Sequence, residues 1–239
     1  MPASAPSFIP SSDLSMTLTT TPSAAPSDLL LEGTIMCELA AALGTNSISA
    51  LNSWDCIGGS PVSGNICSAS STSNWASVVC RDGMVAGIAL AGIGLAGTLP
   101  TSLGRLTALT SLDMSTNNVH GTIPDTLGGL DGLVVLRLSS NSFHGSIPST
   151  LSSLTNLIFL YLDENQLHSS IPSSLGSVSS LRFIRLHDNS LTGSVPSSFC
   201  SMSSLVLFFT YDNPSMACYS ACLSTVTSGT FGAVQCTSS

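Results

Sequence analysis

The sequence contains no lysine, and its five basic residues are all arginine. Charged residues make up only 8% of the chain, and the formal net charge is -8 at pH 7. Binding to nucleic acid depends on Lys and Arg side chains that neutralise phosphates, so this composition argues against a nucleic-acid partner. It argues equally against a basic patch that would bind an anionic membrane surface.

Long apolar segments are also missing. The longest apolar stretch, residues 84–99, is interrupted by Gly and Thr and is shorter than the roughly 18 residues that a spanning helix needs. Residues 1–26 have neither the basic start nor the apolar segment of a secretory signal peptide. We therefore predict no membrane span, and no signal peptide is visible in this chain.

Motifs for catalysis are equally scarce. No G-x-S-x-G sequence occurs, and no nucleophile accompanies the acidic residues near His187. The G-x-G-x-x-G sequence at residues 92–97 is not followed by a helix pattern and coincides with the repeat described below, so it does not indicate a nucleotide site. We expect no enzymatic activity and no cofactor.

The eight cysteines fall into two groups of four, one at each end of a cysteine-free middle: Cys37, Cys56, Cys67 and Cys80, then Cys200, Cys218, Cys222 and Cys236. Neither group contains a C-x-x-C pair or a histidine, so disulfides in an oxidising compartment are favoured over metal binding. Each group allows three pairings. Short loops favour Cys37 with Cys56 and Cys67 with Cys80.

The middle of the chain has a period of 24 residues. The repeating positions carry leucine, asparagine and an Ile/Val-Pro pair: Leu109, Leu133, Leu157, Leu181 and Leu205; Asn117, Asn141, Asn165, Asn189 and Asn213; and Pro124, Pro148, Pro172 and Pro196, each preceded by Ile or Val. A fixed period of this length indicates a stack of identical supersecondary units, each too small to bury its apolar face alone.

The repeat resembles leucine-rich repeats of the plant type, whose mark is L-x-G-x-I-P after the asparagine. One unit contains Leu157, Leu160, Leu162, Asn165 and Leu167 in register, followed by Ile and Pro. The resemblance covers about residues 85–213, or about six units, with Ile93 in place of one asparagine and Ser169 in place of one glycine. It implies an α/β fold: a short right-handed horseshoe-shaped leucine-rich-repeat solenoid with a parallel β-sheet on its concave face, a mostly irregular or 3-10 convex side and a helical N-terminal cap.

Four segments are predicted along the chain. Residues 1–27 form an arm rich in Ser, Thr and Pro, which is either a disordered or glycosylated stalk or a strand that pairs with a sheet edge. Residues 28–84 form the disulfide-bonded N-terminal cap, beginning with a helix over 28–44 that is capped by Ser27 and Asp28 and stopped by Gly44. Residues 85–213 form the repeats, and 214–239 form the C-terminal cap together with Cys200.

Residues that flank the strand leucines should point out of the concave face, because side chains alternate along a strand. Aromatic residues are only 5% of the chain, yet five of them fall on this predicted surface together with arginines. This combination is typical of binding hot spots. The predicted ligand-binding residues are Arg137, Phe159, Tyr161, Asp163, Phe183, Arg185, His187, Phe209 and Tyr211. The alternative is that Phe183, Leu207 and Phe209 lie under the C-terminal cap and complete the core.

Three of the four histidines, His120, His144 and His168, occupy one position in consecutive units. If the units stack directly, their imidazoles lie about 4.8 Å apart, which is close enough for a shared zinc ion. We favour the interpretation that these histidines are exposed and occupy positions that could equally hold small polar residues. We therefore predict no metal site, with this histidine ladder as the weak alternative.

These features together predict a secreted or surface-exposed, non-enzymatic recognition module. The family resemblance implies a protein, peptide or glycan ligand on the concave face. The main alternative is a self-assembling subunit of a surface coat or fibril, a homo-oligomer or polymer in which residues 1–27 connect the copies. Ice binding is a remote third hypothesis, because the aromatic and histidine columns interrupt the regular Thr or Asn array that it requires.

Overall fold

A computed structural model describes residues 26–44, 54, 56–57, 60–61, 66–67, 77–219 and 234–235. The chain begins there with helix α1 (Pro26–Ala42). In chain order the strands are β1 (Cys56–Ile57), β2 (Ser60–Pro61), β3 (Val78–Arg81), β4 (Met84–Ala89), β5 (Ala96–Thr98), β6 (Ser111–Asp113), β7 (Asn118–Thr122), β8 (Val135–Arg137), β9 (Ser142–Gly145), β10 (Phe159–Tyr161), β11 (Gln166–Ser170), β12 (Phe183–Arg185), β13 (Ser190–Gly193), β14 (Leu207–Phe209), β15 (Ser215–Met216), β16 (Cys218–Tyr219) and β17 (Val234–Gln235).

The predicted solenoid is confirmed by a parallel sheet with one strand from each repeat. Its strand order is β14-β12-β10-β8-β6-β4-β3, and β3 is the one antiparallel member. In each three-residue strand from β6 to β14 the central residue is buried and its two neighbours are half-buried. The central residues, which include Leu112, Leu136 and Leu160, join one continuous apolar core along the stack.

A second parallel sheet, β15-β13-β11-β9-β7-β5, runs beside the first. The sequence analysis did not predict it, because only the L-x-L segment of each unit was interpreted as a strand. The strands of this sheet follow the asparagine and contain the L-x-G segment of each repeat. The convex side is therefore more regular than expected. Its expected 3-10 character is also present, in the helices Thr101–Arg105, Asp125–Gly129, Ser149–Ser153, Ser173–Ser177 and Ser197–Ser201.

The repeated asparagines bind backbone groups of two consecutive units. The amide nitrogen of Asn165 donates to the carbonyl of Leu138 at 3.0 Å, and its Oδ1 accepts the N–H of Phe143 at 3.0 Å. Asn117, Asn141, Asn189 and Asn213 make the equivalent bonds. The side chain therefore satisfies backbone groups that the tight turn leaves without partners, as the sequence suggests.

Helix α1 packs against the first repeat through Ile35, Leu39 and Leu43, which are all buried. It begins two residues earlier than predicted, so Ser27 and Asp28 lie inside its first turn. A proline at the start explains this, since its missing N–H has no helical partner at that position. The helix stops before Gly44, which has a φ of +63°.

Two disulfides tie the N-terminal cap together. Cys37 is joined to Cys56 and Cys67 to Cys80, which is the pairing with the short loops. Cys200 is also disulfide-bonded. The pairing of the C-terminal group, most of the cap around it and most of the N-terminal arm lie outside the described residues. Within those residues, no helix is both long and apolar enough to cross a lipid bilayer.

Candidate functional site

The register of the first sheet aligns the outward-facing residues of successive repeats, which form columns across the strands. Val135, Phe159, Phe183 and Leu207 are consecutive partners across the strands, and so are Arg137, Tyr161, Arg185 and Phe209. Partners are one full period apart, so equivalent residues of successive repeats lie side by side. The structure therefore brings the predicted binding residues onto one face of the sheet.

Five of these residues form what we call the aromatic–arginine cluster: Arg137, Phe159, Tyr161, Phe183 and Arg185. The rings of Phe159 and Phe183 are stacked, with centroids 4.8 Å apart and planes within 4°. The guanidinium of Arg185 lies 4.5 Å from the centroid of the Tyr161 ring, and that of Arg137 lies 5.4 Å from the same ring. These contacts hold long side chains in fixed positions before any ligand arrives.

The two arginines differ in their charge partners. Arg137 pairs with Asp113, with 3.4 Å between Nη1 and Oδ2. Arg185 makes no ion pair with any of the residues that the structure describes, and its Nε is buried without a hydrogen-bond partner. Because Arg185 lies beside a ring and not beside a carboxylate, its charge remains available to an anionic group on a ligand.

Toward the C-terminal end of the face, His187 lies among aromatic rings. Its imidazole stacks on Tyr211 at a centroid distance of 4.4 Å and meets the edge of Phe209 at 5.9 Å. Its side chain is only 9% exposed. The ring is held tightly, although it comes from an otherwise open surface.

A group of carboxylates lies beside this imidazole. We call Asp163, Glu164 and His187 the carboxylate–histidine cluster, since one ligand-type atom from each lies within 4.8 Å of the others. Nε2 of His187 is 3.6 Å from Asp163 Oδ2 and 3.8 Å from Asp188 Oδ2. The hydroxyl of Ser139 donates to Asp163 Oδ1 at 2.6 Å, which fixes the orientation of that carboxylate.

The local charge alters two acid–base equilibria. Burial raises the pKa of the Asp188 carboxyl, the charge of His187 lowers it, and the neighbouring carboxylates of Asp212, Glu164 and Asp163 raise it again. Burial likewise raises the pKa of the Tyr211 hydroxyl, and the same acidic surroundings add to that effect. This end of the face is therefore strongly electronegative and favours a cation.

In the alternative drawn from the sequence, Phe183, Leu207 and Phe209 lie under the C-terminal cap and complete the core. Phe183, Leu207 and Phe209 are each half-buried, whereas Phe208, which points the other way, has no exposed surface. Most of the C-terminal cap, which the alternative places over these residues, lies outside the described residues.

The histidine ladder does not have the expected spacing. His120, His144 and His168 are exposed and lie on β7, β9 and β11 of the second sheet. There His144 is opposite Thr122, and His120 is opposite Ser142, because partners between β5 and β13 are 22 residues apart. Equivalent residues are thus displaced by two positions, which places successive histidine Cα atoms about 8 Å apart. Within the part of the chain that the structure describes, they form no metal-binding group.

Sequence reasoning missed the two serines that hold the carboxylates. Ser139 and Ser140 donate from their hydroxyls to Asp163 and Glu164, one unit further along. The 24-residue offset contained this signal, since Ser139 and Asp163 occupy the same column. Arg182 lines an open cavity of about 510 Å³ beside the start of the concave strands. That cavity lies away from the two clusters.

Comparison with known proteins identifies the repeat directly. Two family models, both described as leucine-rich repeat, match residues 107–167 and 180–202. No curated protein matches the chain significantly by sequence.

Several solved structures share the fold. A PEPR1–AtPEP1 structure is 31% identical over 84% of this chain, with a TM-score of 0.71. A chain of the BIR3–SERK2 complex from Arabidopsis thaliana is 30% identical over 77%, with a TM-score of 0.60. The Arabidopsis receptor kinase HAESA ectodomain, solved with an IDA peptide hormone ligand, is 26% identical over 87%, with a TM-score of 0.67.

The lengths of these proteins differ. The chain spans 27% of the length of the PEPR1–AtPEP1 chain and 34% of the HAESA chain, but 90% of the chain from the BIR3–SERK2 complex. The repeat period, the two parallel sheets, the asparagine bonds and this identity over nearly a whole relative lead to one conclusion. The chain belongs to the leucine-rich-repeat family, in its plant-type form.

Proposed function

We propose that the chain is an extracellular, non-enzymatic recognition module that binds an extended peptide or protein segment along its concave face. The observation that carries the proposal is the aromatic–arginine cluster. Its three rings are half-buried and lie on the neighbouring strands β10 and β12, where Phe159 stacks on Phe183 and Tyr161 lies against Arg185. Pre-ordered aromatic and arginine side chains on a sheet lose little conformational entropy when a partner binds, which makes them effective contact residues.

Two further observations support an extracellular peptide ligand. Disulfides such as those of the N-terminal cap persist in oxidising compartments. Among the similar structures, the HAESA ectodomain was solved in complex with an IDA peptide hormone ligand. The cluster fits a ligand that carries an apolar or aromatic side chain for the two phenylalanine rings and a carboxylate for Arg185.

The test starts with selection of binders from a displayed library of random extended peptides, using the purified chain as the target. A Tyr161→Ala/Arg185→Ala variant removes a stacked pair whose side chains are only partly buried, so it should fold normally. We expect the selected peptides to lose at least about tenfold in affinity for this variant, because central contact residues are each worth more than about 1.4 kcal/mol.

The matched control is His144→Ala/Thr192→Ala, which removes two exposed side chains from the second sheet. Its affinity for the peptides should equal that of the unchanged chain. If the control variant loses binding and the Tyr161/Arg185 variant keeps it, the proposed face is wrong. Equal melting temperatures for all three proteins are required for the comparison.

The self-assembly alternative depends on the arm, most of which lies outside the described residues. Deletion of residues 1–25 tests it independently. Under the present proposal the shortened chain has the same sedimentation behaviour and the same peptide affinity as the full chain. Loss of an oligomer on deletion would favour the structural role instead.

A further inference from the structure

The carboxylate–histidine cluster has a feature that a simple patch of acidic residues lacks. The imidazole of His187 is more than nine-tenths buried, and neither ring nitrogen makes a hydrogen bond with the residues that the structure describes. Nε2 faces Asp163 and Asp188 at 3.6 and 3.8 Å, which is too long for a hydrogen bond. Nε2 thus points at two carboxylates without a hydrogen bond to either, whereas Nδ1 on the other side of the ring is buried without a partner. A cation between the ring and the carboxylates would contact Nε2 and the carboxylate oxygens together.

We propose that Asp163, Glu164 and His187 bind a divalent transition-metal ion, with Zn²⁺ the preferred ion. One imidazole with carboxylate oxygens is a ligand set that zinc accepts in proteins. Around a tetrahedral zinc ion with bonds near 2.0–2.1 Å, ligand atoms lie about 3.3 Å apart. The 3.6 Å between His187 Nε2 and Asp163 Oδ2 is already close to that value. Glu164 is exposed, so rotation of its side chain can close the rest of the site.

Neighbouring groups support these ligands in the way that metal sites require. Ser139 donates to the Asp163 oxygen that faces away from the imidazole, which leaves Oδ2 directed at His187. Ser140 donates to Glu164 Oε2 at 2.7 Å. Stacking on Tyr211 fixes the plane of the His187 ring. Hydrogen-bonded carboxylates and an oriented imidazole are typical of sites that bind a metal with useful affinity.

The charge balance also favours a cation. Asp188 and Asp212 lie close enough to interact electrostatically with the cluster, and Arg185 is the nearby positive residue. Three protein ligands leave at least one coordination position for water or for a group of a bound partner. The site lies on the same face as the proposed peptide surface, but metal binding does not depend on any peptide.

The test is a Zn²⁺ titration of the purified full chain, followed by NMR of the histidine rings. The chain has four histidines, so the three exposed ones serve as internal controls. We expect one equivalent of Zn²⁺ to shift the His187 ring resonances before those of His120, His144 and His168 change. Calorimetry should give a stoichiometry of one, and Ca²⁺, which prefers oxygen ligands only, should not compete.

Two variants remove ligands with little risk to the fold. Asp163→Asn keeps an oxygen that accepts the Ser139 hydroxyl, and His187→Phe keeps a ring that stacks on Tyr211. Each should weaken Zn²⁺ binding by at least about tenfold, the smallest loss usual even when only a supporting hydrogen bond is changed. Asp212→Asn is the matched control, because it removes a nearby carboxylate that is not in the cluster.

Several outcomes would overturn the proposal. The first is that the chain binds no Zn²⁺ at concentrations up to about 100 µM. The second is that the Asp163→Asn variant binds Zn²⁺ with unchanged affinity, and the third is that the ring resonances of the exposed histidines shift before those of His187. In the first case His187 is an imidazole paired only with carboxylates. Peptide binding by the unchanged chain in the absence of metal would leave the proposed function standing, so the two failures can be distinguished.

Discussion

At the scale of single residues, the asparagine of each repeat joins neighbouring units by hydrogen bonds to their backbones. Asn165 donates to carbonyls of two units and accepts an N–H of the preceding one. Removing the side chain leaves these backbone groups without partners in a partly buried turn. The cost is then the desolvation penalty of each unsatisfied group and exceeds the value of an average hydrogen bond.

We expect Asn165→Ala to lower the free energy of unfolding by about 1–3 kcal/mol. Chemical denaturation followed by circular dichroism measures it. Asn156→Ala is the control: this exposed asparagine makes one bond, to the carbonyl of Asp131, and its loss should cost no more than about 0.5 kcal/mol. Equal stability losses in the two variants would contradict the assigned role of the repeated asparagine.

A second residue-scale prediction concerns Ser169. It occupies the position of the repeat glycine and has a φ of +71°, as Gly121, Gly145 and Gly193 do with +87°, +85° and +73°. A left-handed conformation costs a side-chain-bearing residue about 1–2 kcal/mol, whereas glycine loses about 0.5–1 kcal/mol in extra unfolded-state entropy. Ser169→Gly should therefore raise the stability by about 0.5–1 kcal/mol, visible as a higher melting temperature.

The neighbouring serine provides the matched comparison. Ser170 lies on the same strand and has no positive φ, so Ser170→Gly relieves no backbone strain. The substitution only adds the conformational entropy of glycine to the unfolded state. Its melting temperature should fall. A fall for both variants would show that the backbone at Ser169 is not strained.

At the scale of elements, helix α1 is joined to the first repeat by a polar contact as well as by its apolar face. Glu32 is 5% exposed, and its Oε2 accepts the N–H of Val85 at 2.9 Å. Val85 is fully buried in β4. The helix thus satisfies a backbone donor at the end of the stack where no earlier repeat exists.

We expect Glu32→Ala to destabilise the chain by about 1–3 kcal/mol, because the N–H of Val85 loses its acceptor. Glu32→Gln keeps an acceptor oxygen and should lose less. The control is Glu38→Ala on an exposed position of the same helix, which should change the stability by less than about 0.5 kcal/mol. Hydrogen exchange at the Val85 amide provides a second readout, and unchanged protection in Glu32→Ala would refute the contact.

The sequence predicted the concave face well because two simple rules determine it. A strand alternates its side chains, and the period of the repeat equals the register of the first sheet, so Phe159 meets Phe183 and Tyr161 meets Arg185. The second sheet obeys a different register of 22 residues, which the period alone does not reveal. This is why the spacing of His120, His144 and His168 was wrong.

The carboxylate–histidine cluster lay beyond prediction for another reason. The columns placed Asp163 beside His187, but the distance between them depends on side-chain rotamers, and these depend on Tyr211, Phe209 and Ser139. Sequence patterns determine which face a residue occupies. They do not determine which side chains converge within the last few ångströms.

At the scale of the whole molecule, the residues that hold the solenoid together differ from those that we propose to bind a ligand. Buried leucines and asparagine bonds hold the stack, while the outward columns are free to vary without loss of the core. Net acidity is concentrated near one end of the concave face, and the aromatic–arginine cluster lies next to it. The face therefore presents an apolar and cationic region beside an anionic one, and under the proposed function this asymmetry gives a bound segment a direction.

The proposed binding role of the concave face is tested most directly by an NMR titration of the full chain with a peptide selected for binding. We expect the ring resonances of Phe159, Tyr161 and Phe183 to shift at substoichiometric peptide. The resonances of the buried rings of Phe143 and Phe199 and of His144 on the second sheet should remain unchanged. If the His144 resonances shift while those of the three concave rings stay unchanged, the ligand lies on the second sheet, which contradicts the proposal that the concave face is the binding surface.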